Sequence, residues 1–385
     1  MSTLWKADFV VVGAGVIGSS IAYHLARAGA GVVLADPGAP RPPSASWASA
    51  GGVRRQNRDA REWALTREAW HRWPLLSQEL GEDCGFRDGG HLHLAQDEAT
   101  LDRMRSRAGE QRAAGLEVEL VGREEVREIA PILSAAVAGG TYTRGDGHAD
   151  PRLTTRAFQR AAVRHGARIR SEPISGFATD AGRVLGVAFG AETVRAGRTV
   201  LAAGSWSASL ARSLGVTLPI RTLGLQMLLT DTQEPVLAAT LTAEGLAVSF
   251  KQLPTGAFLI GGGWPADVDP DGTSCSVRPA AVEGSWATAV RLVPLAARRR
   301  LLSRWCGLEG QSIDSVPFIG PAPGVPGLQL AAGFTGHGFQ LAPAVGRAVA
   351  DVMLGHDVPE LDGVAAARLA GFPRAQVERF MAGGS

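Results

Sequence analysis

Three glycines near the amino terminus constrain the fold of this chain more than any other feature. Gly13, Gly15 and Gly18 follow residues 9–12, a short apolar run rich in β-branched residues that is typical of a buried parallel strand. An apolar residue then recurs at every fourth position over residues 17–25, which predicts one face of a helix. The order strand, G-x-G-x-x-G turn and helix predicts a dinucleotide-binding fold.

Each glycine of this turn has a physical task. Gly13 permits a tight turn, Gly15 lets the backbone approach a pyrophosphate, and Gly18 lets the helix pack against the strand. The helix start offers unpaired N–H groups and a partial positive charge to the phosphates. Residues 31–35 predict a second strand, and Asp36 at its end can accept hydrogen bonds from a ribose. The alternative is a glycine-rich turn that binds no ligand.

The composition sets limits on the class of protein. The chain has 385 residues, 45% hydrophobic and 20% charged, which suits a globular protein of two domains or one large one. Its net charge of +2 predicts no strong attraction to nucleic acid or an acidic membrane.

The cysteines and the apolar segments bear on where the protein lies. Cys84, Cys275 and Cys306 form no C-x-x-C pair, which favours a reducing compartment and argues against a zinc site. No signal peptide and no run of about 20 apolar residues is recognisable. We therefore expect a cytoplasmic protein without a metal, a membrane span or a nucleic-acid partner.

A second strand, glycine loop and helix occur late in the chain. Residues 328–332 are largely apolar, residues 333–338 are rich in glycine, and residues 344–354 predict a helix. N–H groups and a helix dipole at such a corner can receive the part of a large cofactor that carries partial negative charge. We expect the two corners to hold opposite ends of one large cofactor. Without the second corner, a nicotinamide-dependent dehydrogenase would be an equal candidate.

Two histidines and a lysine elsewhere leave alternatives open. His91 and His93 alternate with leucines, so they share one face of a predicted strand. We expect this face to be solvated, with the lining of a pocket or the binding of a metal as the alternatives. Lys251 shares a face with Ser249 in a hairpin predicted over residues 246–260. We expect Lys251 to be exposed, with a pocket-facing cation as the alternative.

Five segments of the chain together resemble one known pattern. They are residues 13–18, 50–54, 203–206, 305–314 and 333–343. With them, nearly the whole chain resembles the D-amino-acid-oxidase-like family of flavoenzymes, which includes glycine oxidase, sarcosine oxidase and the β-subunits of heteromeric proline, hydroxyproline and opine dehydrogenases. The resemblance is greatest to the heteromeric β-subunits, which similarly read W-x-G-x-E-G and G-F-x-x-H-G-F-Q-L.

The resemblance implies a mixed α/β and α+β architecture. One domain would be a Rossmann-type FAD-binding domain with the glutathione-reductase-like nucleotide fold, discontinuous over residues 1–85, 145–215 and 313–385. The second would be a substrate-binding domain over residues 86–144 and 216–312. We expect this second domain to be built mainly on an antiparallel β-sheet.

The same resemblance implies FAD as the cofactor. Its pyrophosphate would lie at residues 13–18, its adenosine ribose at Asp36 and its adenine at the backbone of Ile174. The flavin would lie near Ser46 and residues 50–52, with residues 336–339 facing its O2 and N1 side. The expected cofactor-binding residues are Gly13, Ala14, Gly15, Val16, Ile17, Gly18, Asp36, Pro37, Ser46, Ala50, Gly51, Gly52, Ile174, Gly204, Gly336, His337, Gly338, Phe339 and Gln340.

Two departures from the family pattern bear on the site. The cysteine that holds the flavin covalently in monomeric sarcosine oxidase falls on Gly307, one position after Cys306, so the resemblance implies noncovalent FAD. No lysine occurs near residues 262–276, where the oxygen-activating lysine of that enzyme would fall. This absence argues against a self-sufficient oxidase of the same type.

The arginines that hold the substrate carboxylate in glycine oxidase fall on Glu309 and Gly336. A simple glycine-like substrate is therefore not expected. Arg54 or Arg55 would replace the carboxylate contact, or Glu309 would meet a cation on a larger substrate. The alternative for Glu309 is a purely structural hydrogen bond.

The reaction that the resemblance implies is oxidation of the C–N bond of an amine or N-substituted amino acid. Hydride would pass from the α-carbon to flavin N5, and the imine would hydrolyse in water. The candidate residues of the catalytic pocket are His337, Glu309, His91 and Arg54. The expected partners are a small amine or amino acid, O2 or another electron acceptor, and, as an open alternative, a partner subunit. One alternative function is the oxidation of a 2-hydroxy acid. Another is that of a flavin subunit of a heteromeric dehydrogenase, which is inactive alone.

Overall fold

Three β-sheets organise residues 4–383, the part of the chain that the computed structural model describes. The strands are β1 (Leu4–Val12), β2 (Val32–Ala35), β3 (Gly52–Val53), β4 (His91–Ala95), β5 (Glu119–Gly122), β6 (Gly139–Thr143), β7 (Gly147–His148), β8 (Arg168–Arg170), β9 (Gly176–Asp180), β10 (Arg183–Phe189), β11 (Glu192–Leu201), β12 (Ile220–Thr230), β13 (Thr240–Ala243), β14 (Leu246–Gln252), β15 (Phe258–Gly261), β16 (Pro265–Val268), β17 (Cys275–Ser276), β18 (Leu301–Ser312), β19 (Phe318–Pro321) and β20 (Leu328–Ala332). The α-helices are α1 (Val16–Arg27), α2 (Ala45–Ala48), α3 (Trp63–Arg72), α4 (Leu76–Leu80), α5 (Glu98–Ala113), α6 (Arg123–Ile129), α7 (Pro151–Arg164), α8 (Ser207–Arg212), α9 (Pro279–Leu292), α10 (Gly338–Leu354) and α11 (Arg374–Met381).

The first large sheet has eight strands, with the main order β19-β20-β11-β1-β2-β8. Strands β20, β11, β1, β2 and β8 run parallel, and the antiparallel strands β10 and β9 extend from β11. Phe9 and Val11 pack into the core that contains α1, α7 and α10. Val10 and Val12 pack into the core on the other face, with β10 and α8. Burial of both faces explains why this strand is apolar without alternation.

The second large sheet has ten strands, with the main order β17-β16-β12-β15-β14-β13-β4-β6-β5 and β18 beside β12. It is antiparallel except where β13 lies parallel to β4. Phe250, Phe258 and Ile260 pack into a core with α9 on one face. The opposite face carries polar side chains, among them Thr242 and Lys251.

These sheets confirm the predicted Rossmann-type fold and the mainly antiparallel second sheet. All strands of the eight-stranded sheet fall in residues 1–85, 145–215 and 313–385, and all strands of the ten-stranded sheet fall in residues 86–144 and 216–312. The domain boundaries themselves stay a prediction.

The last long helix begins six residues earlier than predicted. Helix α10 starts at Gly338 and carries Pro343 inside it, whereas the sequence predicted a helix only from residue 344. Proline lacks the N–H of the normal helical bond, so it suggested a boundary. The early start places Gly338, Phe339 and Gln340 in the first turn of a long helix.

Helix α10 packs so closely on α1 that Gly346 leaves no room for a side chain. A Cβ at Gly346 would collide with the Ser20 side chain and lie 2.8 Å from its backbone carbonyl carbon. We expect Gly346→Ala to destabilise the protein by about 1–3 kcal/mol through overpacking, measured by urea unfolding of the FAD-loaded protein. The matched control is Gly109→Ala in α5, where no atom lies within 4 Å of the added Cβ. Equal stability of the two variants would contradict this packing.

Candidate functional site

Three parallel strands end side by side at one edge of the eight-stranded sheet. Strands β1, β11 and β20 are neighbours, so their carboxyl ends meet at this edge, where ligands bind in such sheets. The Ala202 N–H donates to the Val12 carbonyl at 2.8 Å. Gly13 has φ +101°, and a Cβ there would collide with the Ala202 carbonyl. Only glycine therefore lets the two strand ends approach this closely.

The first glycine corner presents free backbone donors. A Cβ at Gly18 would collide with the Gly13 carbonyl, so glycine allows α1 to start directly above the strand end. The Val16 N–H donates to Ser46 Oγ at 2.9 Å. The N–H groups of Ile17 and Gly18 lie in the first turn, have no acceptor within the helix and have none elsewhere in residues 4–383. This arrangement suits a phosphate.

Asp36 joins the end of β2 to this corner. Its Oδ2 accepts the Ala14 N–H at 2.8 Å, and its Oδ1 accepts the N–H groups of Gly38 and Ala39 at 2.7 and 2.6 Å. A carboxylate has about four acceptor sites, so capacity remains for a ribose hydroxyl. Its own N–H donates to the Arg170 carbonyl at the end of β8, and Ile174 follows that strand.

The second glycine corner follows β20. Gly333, Thr335 and Gly336 all have positive φ, which turns the chain into α10. The N–H groups in the first turn of this 17-residue helix, those of Gly338, Phe339 and Gln340, have no acceptor in the described part of the chain. Such a set of donors fits a group that carries partial negative charge.

The side chains of Phe339 and Gln340 pack into the protein. Phe339 packs on Trp73 with ring centroids 5.0 Å apart. The Gln340 Nε2 donates to the Thr66 carbonyl at 3.1 Å, and the Trp73 Nε1 donates to the Gln340 carbonyl at 2.8 Å. At Phe339 and Gln340, the free donors toward a cofactor are therefore backbone N–H groups.

The segment over residues 44–53 closes the site between the two large sheets. Ser46 lies against Gly15, and the Trp305 Nε1 donates to the Ala48 carbonyl at 3.1 Å. Gly51 has φ +69°, and a Cβ there would collide with the Ala149 carbonyl. Ala50 and Gly52 flank it, and both are half-buried.

Two of the predicted cofactor residues, Gly204 and Pro37, are less closely packed than the glycines of the two corners. An added Cβ at Gly204, which follows β11, meets no atom within 4 Å. Pro37, which follows Asp36, is exposed. Neither makes a close contact, although the φ of +56° at Gly204 favours glycine. Their assignment to the cofactor stays a prediction.

The solvated face expected for His91 and His93 is wrong. Both side chains are buried, because β4 is a central strand between β13 and β6. Gln56 Nε2 donates to His91 Nδ1 at 2.9 Å, and His91 Nε2 lies 2.8 Å from Thr242 Oγ1. Burial and the nearby Arg54 hold the pKa of His91 well below its usual value. Protein groups occupy both His91 ring nitrogens, so its place in the catalytic pocket is not supported by this geometry.

His93 belongs to the same buried network. Its Nδ1 lies 2.7 Å from Thr242 Oγ1, and its Nε2 lies 2.8 Å from Glu244 Oε2. Arg107 also donates to Glu244, and together these contacts lower the pKa of Glu244 to about 2.

The exposed position expected for Lys251 is also wrong. Only 5% of the residue is exposed, since β14 is an inner strand. No hydrogen bond or ion pair holds its ammonium group within residues 4–383. Burial lowers the pKa of Lys251 to about 7, against a small opposing effect of Asp150. Burial, and secondly the nearby charge of Lys251, lower the pKa of His148 to about 3.

Arg54 and Arg55 have different environments. Arg55 is paired with Asp146 at 2.8 Å, donates to the Arg144 carbonyl and stacks on the Trp70 ring at 3.8 Å. Arg55 is therefore structural and is not available to a substrate. The Arg54 side chain makes no hydrogen bond or ion pair with any described residue, and burial lowers its pKa.

A buried carboxylate–imidazole pair lies at the second glycine corner. His337 Nδ1 donates to Glu62 Oε2 at 2.9 Å, and Glu62 is fully buried. Burial, followed by repulsion from Arg58, lowers the pKa of His337 to about 4. The ring is therefore neutral near pH 7, and its Nε2 has no protein partner among the described residues.

Glu309 links the ten-stranded sheet to the same corner. It lies on β18 opposite Leu223 of β12, and its carboxylate accepts the Gly336 N–H. Burial raises its pKa, although this hydrogen bond opposes the shift. The Gly336 N–H is thus used by Glu309.

Sequence reasoning missed Arg58 and Glu62. They begin a segment that the sequence predicted as helical, where charged residues usually face water, so no local signal marked them as buried. The pKa of Arg58 is lowered to about 9 by burial and by the adjacent Arg54 charge. The structure therefore brings Arg54, Arg58, Glu62, His337 and Glu309 together at the second corner.

A Rossmann-type sheet with two amide-rich corners at one edge, closed by a polar antiparallel sheet, is an arrangement that fits a flavin-dependent oxidoreductase. The pattern of the family described as "FAD dependent oxidoreductase" (DAO) matches residues 8–352. This chain belongs to that family, and its cofactor is FAD.

Relatives and solved structures agree with this membership. Glycine oxidase of Pseudomonas aeruginosa is 31% identical over 90% of this chain and 95% of that protein. Sarcosine oxidase subunit beta of an Arthrobacter species is 27% identical over 92% of this chain and 89% of that subunit. The crystal structure of L-proline dehydrogenase from P. horikoshii matches with a TM-score of 0.87 at 25% identity, covering 96% of this chain and all of that chain.

Two features are absent from residues 4–383. None of the helices there combines the length and apolar character needed to cross a bilayer. No group of three or more His, Cys, Asp or Glu side chains there is arranged to hold a metal ion.

Asp36→Ala tests the first corner. We expect the dissociation constant of FAD to rise on the order of 10-fold or more, because a charge-assisted acceptor and the anchor of the glycine turn are lost together. The ratio of flavin absorbance to protein after purification measures this. Asp102→Ala is the control, because that side chain is 64% exposed on α5. Unchanged flavin content in Asp36→Ala would show that the fingerprint has been misread.

Proposed function

We propose that this protein oxidises the C–N bond of an amine or amino acid to an imine, which water then hydrolyses. The observation that carries the proposal is the unpaired Arg54, which acts electrostatically on His337 of the flavin-facing corner. A half-buried guanidinium that no protein carboxylate contacts is suited to a substrate carboxylate. FAD, when bound, supplies the hydride acceptor for the α-carbon of the substrate.

The residues of the second corner would stabilise and orient the reacting groups. The free N–H groups of Gly338, Phe339 and Gln340 would face the flavin region that gains negative charge on reduction. His337 is neutral and its Nδ1 is held by Glu62, so its Nε2 could accept a hydrogen bond from the substrate amine. An amine must be unprotonated to lose hydride, and an acceptor at this position favours that form.

We also propose that FAD is held without a covalent bond. Gly307 occupies the position of the family's attachment cysteine, and a Cβ there would collide with the Ala48 side chain. Cys306 alternates with Gly307 along β18 and therefore faces the other side of the sheet.

The experiment that tests the proposed function is anaerobic reduction of the bound flavin by candidate substrates. The loss of the visible flavin absorbance measures this reduction. Amino acids, N-substituted amino acids and simple amines form one set, and 2-hydroxy acids form the comparison set. We expect bleaching by members of the first set. Bleaching only by 2-hydroxy acids, or by nothing, would overturn the proposal.

The relative named sarcosine oxidase subunit beta supports a second candidate, a flavin subunit that passes electrons to a partner chain. Admitting oxygen after anaerobic reduction separates the candidates. Rapid return of the absorbance indicates a self-sufficient oxidase. Persistent reduced flavin indicates that another acceptor is required.

Glu309→Gln tests the link between the two sheets. We expect flavin reduction by substrate to slow on the order of 10-fold while flavin content stays unchanged, because the amide keeps an acceptor for Gly336 but loses the charge. Stopped-flow absorbance measures the rate. The control is Glu283→Gln on α9, on the opposite face of the ten-stranded sheet. Equal rates in wild type and Glu309→Gln would show that Glu309 makes only a structural hydrogen bond.

A further inference from the structure

Two neighbouring arginines near the second glycine corner have no carboxylate partner within 4 Å among the described residues. Arg58 is 9% exposed, and its side chain makes one hydrogen bond, from Nε to the Arg54 carbonyl at 3.4 Å. The Arg54 side chain makes none, and neither guanidinium lies within 4 Å of a carboxylate oxygen of residues 4–383. The two groups are close enough that each charge acts on the other and on His91 and His337.

The acidic side chains of this region have other partners, although the second carboxylate oxygen of Glu62, Oε1, accepts no hydrogen bond from the described residues. Asp146 is paired with Arg55, Glu62 accepts from His337, and Glu309 accepts from Gly336. Glu244 is held by His93 and Arg107. The charges of Glu62 and Asp146 act on Arg58 from a distance. No carboxylate among the described residues touches either guanidinium, so an anion from outside the protein would still stabilise the two charges.

The number of donors points to more than one carboxylate. A guanidinium carries five N–H donors, so nine N–H groups of the two side chains lack a protein acceptor. A single carboxylate has roughly four lone-pair sites, and two carboxylates have roughly eight. Two planar guanidinium groups can each take one carboxylate in bidentate geometry.

We propose that the substrate is an amine that carries two carboxylates, with Arg54 and Arg58 each binding one. The proposal rests on the proposed function and names its substrate class. The second carboxylate does not react. It contributes binding energy that fixes the α-carbon in position for hydride transfer.

The first test measures binding without turnover in the FAD-loaded protein. Thiodiacetate has two carboxylates, (methylthio)acetate has one, and neither is an amine; each is titrated against the visible flavin spectrum. We expect thiodiacetate to bind about 10- to 100-fold more tightly, as a charge-assisted pair warrants. Arg58→Gln should remove this preference, and Arg58→Lys should keep part of it.

The matched control is Arg67→Gln, an exposed arginine of α3 that should leave the preference unchanged. Equal binding of the two probes by the wild type, or an unchanged preference in Arg58→Gln, would overturn the proposal. Flavin content of each variant shows that it has folded and retains its cofactor.

The second test uses substrates and the rate of anaerobic flavin reduction. Iminodiacetate is compared with N-methylglycine, and aspartate with alanine, so that the second carboxylate lies either on the nitrogen substituent or on the side chain. We expect one dicarboxylate to react at least about 10-fold faster than its partner in the wild type and to lose that advantage in Arg58→Gln. Equal rates within both pairs would contradict the proposal.

The two tests separate the two proposals. If no amine reduces the flavin while the preference for thiodiacetate persists and depends on Arg58, the proposed function is wrong and the two-carboxylate site is right. If amines reduce the flavin without any such preference, the proposed function is right and the two-carboxylate site is wrong.

Discussion

The close approach of backbone at Gly13 is the constraint on which the cofactor site depends. There the end of β1 lies so near Ala202, at the end of β11, that a Cβ would collide with its carbonyl. The same turn lets α1 start directly above the sheet, with Gly18 against the Gly13 carbonyl. A side chain at either glycine would move the helix start away from the edge where three strands end. The free N–H groups would then no longer point to one ligand.

The two large sheets contribute different chemistry to the candidate site. The eight-stranded sheet provides backbone donors, whose positions are set by strand ends and helix starts and therefore tolerate little change. The ten-stranded sheet provides a side chain, that of Glu309, which accepts the Gly336 N–H at the second corner. Backbone donors suit a cofactor that stays the same throughout a family, and side chains suit substrates that differ among its members.

Local patterns were sufficient for much of this architecture and failed where burial decided the outcome. Alternation correctly placed His91 and His93 on one face of a strand, but no local pattern shows that a central strand and Gln56 cover that face. Lys251 looked exposed for the same reason. Burial depends on which strands become neighbours, and β4 pairs with β13, which is far away in the sequence.

The sequence by itself determined the nucleotide fold, the two glycine corners and the family, because these depend on glycine spacing and apolar periodicity within short segments. The tertiary structure alone decided which charges are paired within the protein. Arg54 and Arg55 are adjacent in the chain, yet only Arg55 meets Asp146. Whether a charge finds a partner depends on long-range packing, because an ion pair needs contact within a few ångströms between segments that the chain order leaves far apart.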